Sequence, residues 1–197
     1  MKNGNIFNIK PLKGELVMSK RIVVINGSPR KNGNTELLID AFIQGAESSG
    51  NHVTKFNVGR MKITGCTDCK YCFTHLGECA IKDKMQEIYQ ALYSADMLVL
   101  ASPVYWHGMT GQIKSVIDRM NVGTAKPMPI TAAALLSVYG DTDTEAVEPT
   151  ISHYKAITKY MGWKDLGIVT QSEVMEKGDI KGLSSLAAAR DLGKSIQ

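Results

Sequence analysis

Residues 27–35 combine the residue types that bind phosphate groups. The stretch holds two glycines, hydroxyl and amide side chains and two cations, between a strand-like apolar run and a helical pattern. Backbone N–H groups and the dipole of a helix N-terminus attract anions, and an arginine contacts phosphate through two N–H groups. An ordinary polar turn that only caps the helix is the alternative. With Asn34 at the helix N-cap, we predict a phosphate site formed by Ser28, Arg30, Gly33, Asn34 and Thr35.

A second candidate segment follows the apolar run at 97–101 and offers flat apolar surfaces. The run ends at Ser102-Pro103, and two aromatic residues, Tyr105 and Trp106, come next. Aromatic faces beside exposed backbone groups suit a flavin ring and its polar rim. An aromatic pair packed under the next helix is the alternative. We predict that the ring is contacted by Pro103, Val104, Tyr105, Trp106 and Gly108.

A third segment, at the end of the fourth predicted strand, carries a weaker signal. It reads Ser137-Val138-Tyr139-Gly140-Asp141 and has fewer glycines than expected of a flavin-contacting loop. Its position at the carboxyl end of a parallel strand places it at the same sheet edge as the other two segments. We predict further cofactor contacts from Ser137 and Gly140.

All four cysteines of the chain lie close together in a predicted loop. Cys66, Cys69, Cys72 and Cys79 follow a spacing of two, two and six intervening residues. Such spacing permits ligation of one cuboidal iron–sulfur cluster, as in ferredoxins. Packed thiols or a redox-active pair without a metal are an open alternative. A structural zinc ion is a third, although zinc sites usually have two ligand pairs separated by a longer loop.

The elements that position these segments alternate along the chain. Short apolar runs without polar alternation indicate buried parallel strands, and each is followed by a helical pattern. A loop at 59–82 is long enough to indicate a functional role. The predicted strands cover about 21–26, 52–58, 97–101, 130–138 and 166–170. The predicted helices cover about 34–50, 83–94, 110–120, 144–161 and 180–195.

Composition narrows the classes of function. The net charge of +4 is small, and the sequence has no long run of like charges, so we expect neither a nucleic-acid nor a membrane partner. The N-terminal residues lack the apolar core of a signal peptide, which predicts a cytoplasmic protein with reduced cysteines. We expect an N-terminal extension at 1–19 and one domain at 20–197.

Two motifs together resemble one known family. The Gly-Ser-Pro-Arg stretch that runs to Gly33-Asn34-Thr35, and the Ser-Pro-Val-Tyr-Trp segment at 102–106, are similar to segments of the NADPH-dependent FMN reductase family. That family belongs to the flavodoxin-like superfamily. The resemblance implies a three-layer α/β sandwich whose five-stranded parallel sheet has the order 2-1-3-4-5, with helices on both faces.

The resemblance also implies an activity. Relatives bind FMN, take hydride from NADH or NADPH and pass electrons to a small acceptor such as a quinone, a nitro or azo compound, or free flavin. They commonly form homodimers or homotetramers. Because the flavin carries the chemistry, we assign no catalytic side chain, and we expect His75 and His107 to be surface or packing residues.

The cysteine spacing is similar to that of iron–sulfur flavoproteins, a branch of the same family. This likeness implies a second possible function, namely an electron carrier that receives electrons from a ferredoxin-like protein through a [4Fe–4S] cluster. Clusterless relatives carry a similar cysteine segment, so the alternatives for the four thiols stay open. A non-enzymatic redox sensor is a third possibility, since a fold alone does not establish catalysis.

Overall fold

Parallel strands form the centre of the molecule, as the apolar runs predict. The computed structural model describes residues 19–197, so residues 1–18 of the predicted extension lie outside the described part. The strands are β1 (Arg21–Asn26), β2 (His52–Phe56), β3 (Met97–Tyr105), β4 (Gly108–Met109), β5 (Ala132–Val138) and β6 (Lys164–Gln171). The parallel strands lie in the order β2-β1-β3-β5-β6, and β4 pairs antiparallel with β3. The predicted order 2-1-3-4-5 is therefore confirmed, with β4 as an additional strand.

Helices cover both faces of this sheet. They are α1 (Asn34–Ser48), α2 (Tyr71–Thr74), α3 (Met85–Leu92), α4 (Gly111–Arg119), α5 (Val122–Ala125), α6 (Glu148–Met161) and α7 (Ser184–Lys194). Short 3₁₀ turns lie at Val58–Arg60 and Thr144–Ala146. None of these helices has the length and apolar composition that a bilayer crossing requires.

Alternation along β1 divides the core into two halves. Val23 and Ile25 pack with α3, α4 and α6 on one face. Ile22 and Val24 pack with α1 and α7 on the other face. Since successive side chains of a strand point to opposite faces, a fully apolar strand needs cover on both sides. The three-layer sandwich is thereby confirmed, and its layers fix the carboxyl edge where β1, β3 and β5 end.

Strand β3 is longer than the sequence predicts. The prediction ended it at Ala101 because proline lacks an N–H for the ladder. In the structure Ser102 and Pro103 stay in register with Ser137 and Val138 of β5. The chain then turns back after Tyr105 to form β4. The aromatic segment is therefore the end of a central strand plus a tight hairpin, and its backbone is paired with neighbouring strands.

Helices α1 and α7 approach each other at two glycines. A Cβ added at Gly45 would lie 1.9 Å from the carbonyl oxygen of Arg190, and one at Gly193 would lie 2.2 Å from that of Phe42. We predict that Gly45→Ala lowers the free energy of unfolding by about 1–3 kcal/mol through overpacking, although alanine favours a helix by about 1 kcal/mol. Urea denaturation measures this change.

The matched control is Gly111→Ala at the start of α4. A Cβ there meets no atom within 4 Å, so we expect the free energy of unfolding to stay constant or rise. Equal losses in the two variants would contradict the close approach of α1 and α7.

Candidate functional site

One cavity at the carboxyl edge collects residues from all three predicted segments. Its volume is about 220 Å³. Its walls come from the chain that follows β1, from the end of β3, from the end of β5 and from the chain after β6. They are Ser28, Arg30, Asn34, Thr35, Pro103, Val104, Tyr105, Val138, Tyr139, Gly140, Val174 and Met175. The segment predicted to bind a phosphate and the aromatic segment thus meet in one place, beside β1 and β3, where the strand order reverses direction.

The N-terminus of α1 opens into this cavity without a side-chain cap among the described residues. Gly33 is the N-cap, and the first helical hydrogen bond runs from Leu37 N to Gly33 O (3.0 Å). The N–H groups of Asn34, Thr35 and Glu36 therefore lack helical acceptors. Thr35 is only 1% exposed, yet it borders the cavity. Buried N–H donors that end at a cavity fit a phosphate group, since the helix dipole adds attraction for an anion.

Glu36 lies in the first turn of this helix, but its negative charge is paired with two cations and a backbone N–H group. Its carboxylate accepts a hydrogen bond from Asn32 N (2.6 Å) and lies 3.4 Å from Arg60 and 3.5 Å from Lys55. Burial alone would raise the pKa of Glu36, but the Asn32 N–H and the cation of Arg60 lower it below its ordinary value. The acid is thus ionised and paired, which leaves the helix N-terminus attractive to an anion.

Asn34 has a different role from the one predicted. It is the first helical residue rather than the N-cap, which is Gly33. Its amide Nδ2 donates to Glu176 O (2.8 Å), and its Oδ1 accepts from Gly178 N (2.9 Å). These two bonds pair a backbone carbonyl and a backbone N–H of the segment after β6. The Asn34 side chain therefore fixes that segment beside the cavity, while its backbone N–H lies among the donors without a helical acceptor.

The turn between β1 and α1 is held in place by its own side chains. Ser28 Oγ accepts from Arg30 N (3.3 Å), and Asn26 Oδ1 accepts from Ser28 N (2.9 Å). The Arg30 guanidinium donates to Met175 O (2.7 Å) while bordering the cavity. Arg30 thus supplies the positive charge of this wall. Gly33 acts through its backbone as the N-cap and does not itself border the cavity.

Only the part of the aromatic segment before the hairpin turn borders the cavity. Pro103, Val104 and Tyr105 border the cavity, and Tyr105 is 45% exposed. Trp106 and Gly108 do not border it. Trp106 is 98% exposed at the tip of the turn, and Gly108 pairs with Tyr105 in β4. A planar ring in the cavity would therefore contact the strand end, whereas Trp106 faces the solvent beyond it.

The segment at 137–141, at the end of β5, also contributes only some of its predicted residues to the cavity. Ser137 is fully buried inside the sheet, where its Oγ donates to Ser102 O (2.9 Å), so the structure does not bring it to the cavity. Gly140 does border it, and a Cβ there would lie 1.8 Å from Met175 Sδ. Sequence reasoning missed Tyr139 and Met175. The rule that parallel strands end at one edge could have found Tyr139. Met175 follows β6 in a turn without a cofactor motif.

The four cysteines lie together at a separate place. Cys66 and Cys69 are exposed, whereas Cys72 and Cys79 are half-buried. All four border one small cavity of about 20 Å³. Within residues 19–197, no three Cys, His, Asp or Glu side chains are arranged to hold a metal ion. The loop thus gathers the four thiols around one small cavity.

Arg119 holds this cysteine loop in place through hydrogen bonds. Its buried guanidinium donates to Asp83 Oδ1 and Oδ2 (2.7 and 2.6 Å), to Ile81 O (2.9 Å), and to Cys79 Sγ (3.4 Å). Burial would raise the pKa of Asp83, but hydrogen bonds from Arg119 and from the Thr64 and Met85 N–H groups lower it. Sequence reasoning missed this contact, which only the tertiary structure creates.

Helix α4 connects the two places. Its N-cap Thr110 donates through Oγ1 to Gly27 O (2.9 Å) in the turn after β1. Arg119, which contacts Cys79, is its last residue. Nine helical residues rise about 13 Å at 1.5 Å each. The cysteines and the carboxyl-edge cavity are therefore separate sites on opposite ends of one helix.

Comparisons with known proteins agree with this architecture. A protein from Methanothermobacter marburgensis, described as an NAD(P)H:quinone oxidoreductase, has the same fold with a TM-score of 0.73. The match covers 91% of this chain and 97% of that one at 18% identity, so it supports the fold alone. The protein YwqN of Bacillus subtilis, described as an NAD(P)H-dependent FMN-containing oxidoreductase, is 28% identical. That alignment covers 88% of this chain and 97% of YwqN.

Iron–sulfur flavoproteins are similar over a shorter stretch. One from Archaeoglobus fulgidus is 42% identical over 100 residues, which are 51% of this chain and 45% of that protein. The alignment spans about half the length of the iron–sulfur flavoproteins that the chain matches. Residues 20–162 match the model of the NADPH-dependent FMN reductase family. This chain belongs to the NADPH-dependent FMN reductase family.

Proposed function

We propose that the chain is an FMN-dependent oxidoreductase that takes hydride from NADH or NADPH and reduces a small organic acceptor. The observation that carries this proposal is the meeting of Arg30 and Thr35 with Tyr105 in one cavity at the strand ends. A cationic, amide-rich wall suits a phosphate, and an aromatic strand end suits a planar ring. With a quinone Q, the balanced reaction is NAD(P)H + H⁺ + Q → NAD(P)⁺ + QH₂.

The residues around the cavity have separate tasks in this proposal. Backbone N–H groups of Asn34, Thr35 and Glu36 hold the phosphate, and Arg30 adds charge. Tyr105 and Tyr139 border the space for the ring. FMN, when bound, supplies the hydride chemistry. The protein contributes position and a preorganised electrostatic field, because strand pairing and the hydrogen bonds of the turn hold its donors in place.

Anaerobic spectroscopy tests the proposed function. We expect the FMN-loaded protein to show the visible absorption of oxidised flavin and to lose it when NADH or NADPH is added, because hydride from the nicotinamide reduces the flavin. A small quinone should then restore it. Dithionite is the control reductant that needs no nucleotide site. A flavin that dithionite bleaches but neither nucleotide bleaches would contradict an NAD(P)H-dependent enzyme.

A second candidate function is that of an electron carrier with a [4Fe–4S] cluster and a ferredoxin-like partner. Two observations support it. The four cysteines border one cavity. The backbone N–H of Asp68 donates to Cys66 Sγ (3.4 Å), and the Arg119 guanidinium donates to Cys79 Sγ (3.4 Å). Such donors are common around metal-bound thiolates. Iron and sulfide analysis of anaerobically purified protein, with Cys69→Ala as control, separates the two functions. Iron-free protein would exclude the carrier.

The location and assembly of the protein also remain proposals. We also propose a cytoplasmic location, and a homodimer or homotetramer on the basis of the family resemblance. Light scattering on the FMN-loaded protein measures the number of chains in the assembly.

A further inference from the structure

A second cavity continues from the first toward the solvent. Its volume is about 230 Å³. The two cavities share four wall residues, Val104, Tyr139, Gly140 and Met175. A molecule in the second cavity would therefore lie next to the space in which we place the flavin ring. Its outer walls include Trp106, His107, Asp141 and Ala146.

The hairpin turn presents Trp106 at this cavity in an unusual conformation. Trp106 and His107 both have left-handed backbone angles, with φ of +49° and +60°. Two-residue hairpins of this kind favour Asn-Gly, because bulky residues are strained there. Trp106 is nevertheless 98% exposed, so no core packing explains its size. Strain that persists beside a binding cavity indicates a functional constraint, and an exposed indole face can stack on a planar molecule.

Charge distinguishes the two cavities. The first is lined by one charged residue, Arg30, whereas the second is lined by one carboxylate, Asp141, with no lysine or arginine among its described wall residues. Asp141 is held in place, since its Oδ1 accepts from Asp143 N (3.0 Å). Two further exposed acids, Asp143 and Glu145, follow in the same turn. An anionic molecule is therefore favoured in the first cavity and repelled from the second.

We propose that the second cavity binds the electron acceptor, that Trp106 stacks on it, and that Asp141 selects neutral or cationic planar aromatics over anionic ones. The inference rests on the proposed function, because the adjoining cavity must hold the flavin. The acceptor gains two electrons and two protons from the reduced cofactor and solvent, as in the quinone reaction above. Asp141 acts on specificity through its charge and transfers no proton.

The test uses three naphthoquinones, one neutral, one sulfonated and one carrying a trimethylammonium group. Dithionite-reduced, FMN-loaded protein is mixed with each quinone at constant pH, and the second-order rate of flavin reoxidation is measured. We expect Asp141→Asn to raise the ratio of the rate with the sulfonated quinone to the rate with the neutral quinone by about threefold or more. The ratio of the rate with the cationic quinone to the rate with the neutral quinone should fall. Raising the salt to about 1 M should remove most of this difference.

Two controls make the outcome decisive. Glu47→Gln removes an exposed carboxylate at the far end of α1 and should leave all three ratios unchanged. Trp106→Ala should slow reoxidation by all three quinones by about fivefold or more, with partial recovery in Trp106→Phe, because stacking does not depend on charge.

Unchanged ratios in Asp141→Asn, or unchanged rates in Trp106→Ala, would overturn the inference while leaving the proposed function intact. Asp141→Asn could also lower the KM for NADPH by the same factor by which it raises the rate with the sulfonated quinone. That result would assign the second cavity to the nucleotide and would also overturn the inference. Failure to bind FMN, or to bleach with NAD(P)H, would instead count against the proposed function.

Discussion

Replacing Thr35 by aspartate is expected to lower the affinity for FMN by about 100-fold or more, which corresponds to about 2.7 kcal/mol. The new carboxylate would lie at the uncapped N-terminus of α1, where it competes for the N–H groups of Asn34 and Glu36. An acid in the first turn stabilises a helix but repels a phosphate. Because Thr35 is only 1% exposed, the cost of burying the new carboxylate opposes this gain, and we expect the melting temperature of the apoprotein to change little. Fluorescence titration of the apoprotein with FMN measures the loss.

Two comparisons isolate the phosphate. Thr35→Val keeps the shape but removes the hydroxyl, so FMN affinity should fall by about tenfold at most, the value of one hydrogen bond. Riboflavin has the same ring without the phosphate, and its affinity should change little in Thr35→Asp. If riboflavin and FMN lost affinity equally, the helix N-terminus would not be the phosphate site.

Replacing Asp83 by alanine is expected to lower the free energy of unfolding by about 3–5 kcal/mol, because it leaves the Arg119 guanidinium buried without its carboxylate. The side chain of Arg119 is 1% exposed and that of Asp83 17% exposed. The Nε atom of Arg119 already has no partner among the described residues, so further loss of acceptors is costly. Urea denaturation at neutral pH measures the change.

Glu87→Ala is the matched control, since Glu87 pairs with Lys84 at the surface of the same region. Its free energy of unfolding should fall by less than about 1 kcal/mol. The pKa of Asp83 is lowered in the folded protein, so its contribution is present above the ordinary value of 3.8 and is lost as the pH falls through the folded pKa. The gap between wild type and Asp83→Ala should therefore shrink in acid. A gap that stays constant or widens would contradict the pairing.

The carboxyl-edge cavity could be predicted in part because it depends on local chemistry and a general rule. The turn after β1 shows its donors in the sequence, and parallel strands end at a common edge. Arg30 and Tyr105 therefore came together as expected. The end of β3 could not be placed, because the pairing of Pro103 with β5 and the turn to β4 are tertiary events that override a strand-breaking residue.

Contacts between distant segments account for what the sequence did not reveal. Asn34 looks like a cap and phosphate donor, yet its amide is bonded to residues 142 and 144 positions away. Such partners become visible only when α1 packs beside the chain after β6. The contact of Arg119 with the cysteine loop also depends on distant segments, since the nearest acceptor of its guanidinium is Asp83, 36 positions away. Local patterns show which groups are available, and packing decides which of them meet.

Nuclear magnetic resonance of the backbone amides can show whether the N–H groups at the start of α1 bind the phosphate of FMN. We predict that the amide signals of Asn34, Thr35 and Glu36 shift strongly when FMN is added and much less when riboflavin is added. Equal shifts with both ligands, or shifts confined to the distant end of α4 near Arg119, would contradict it.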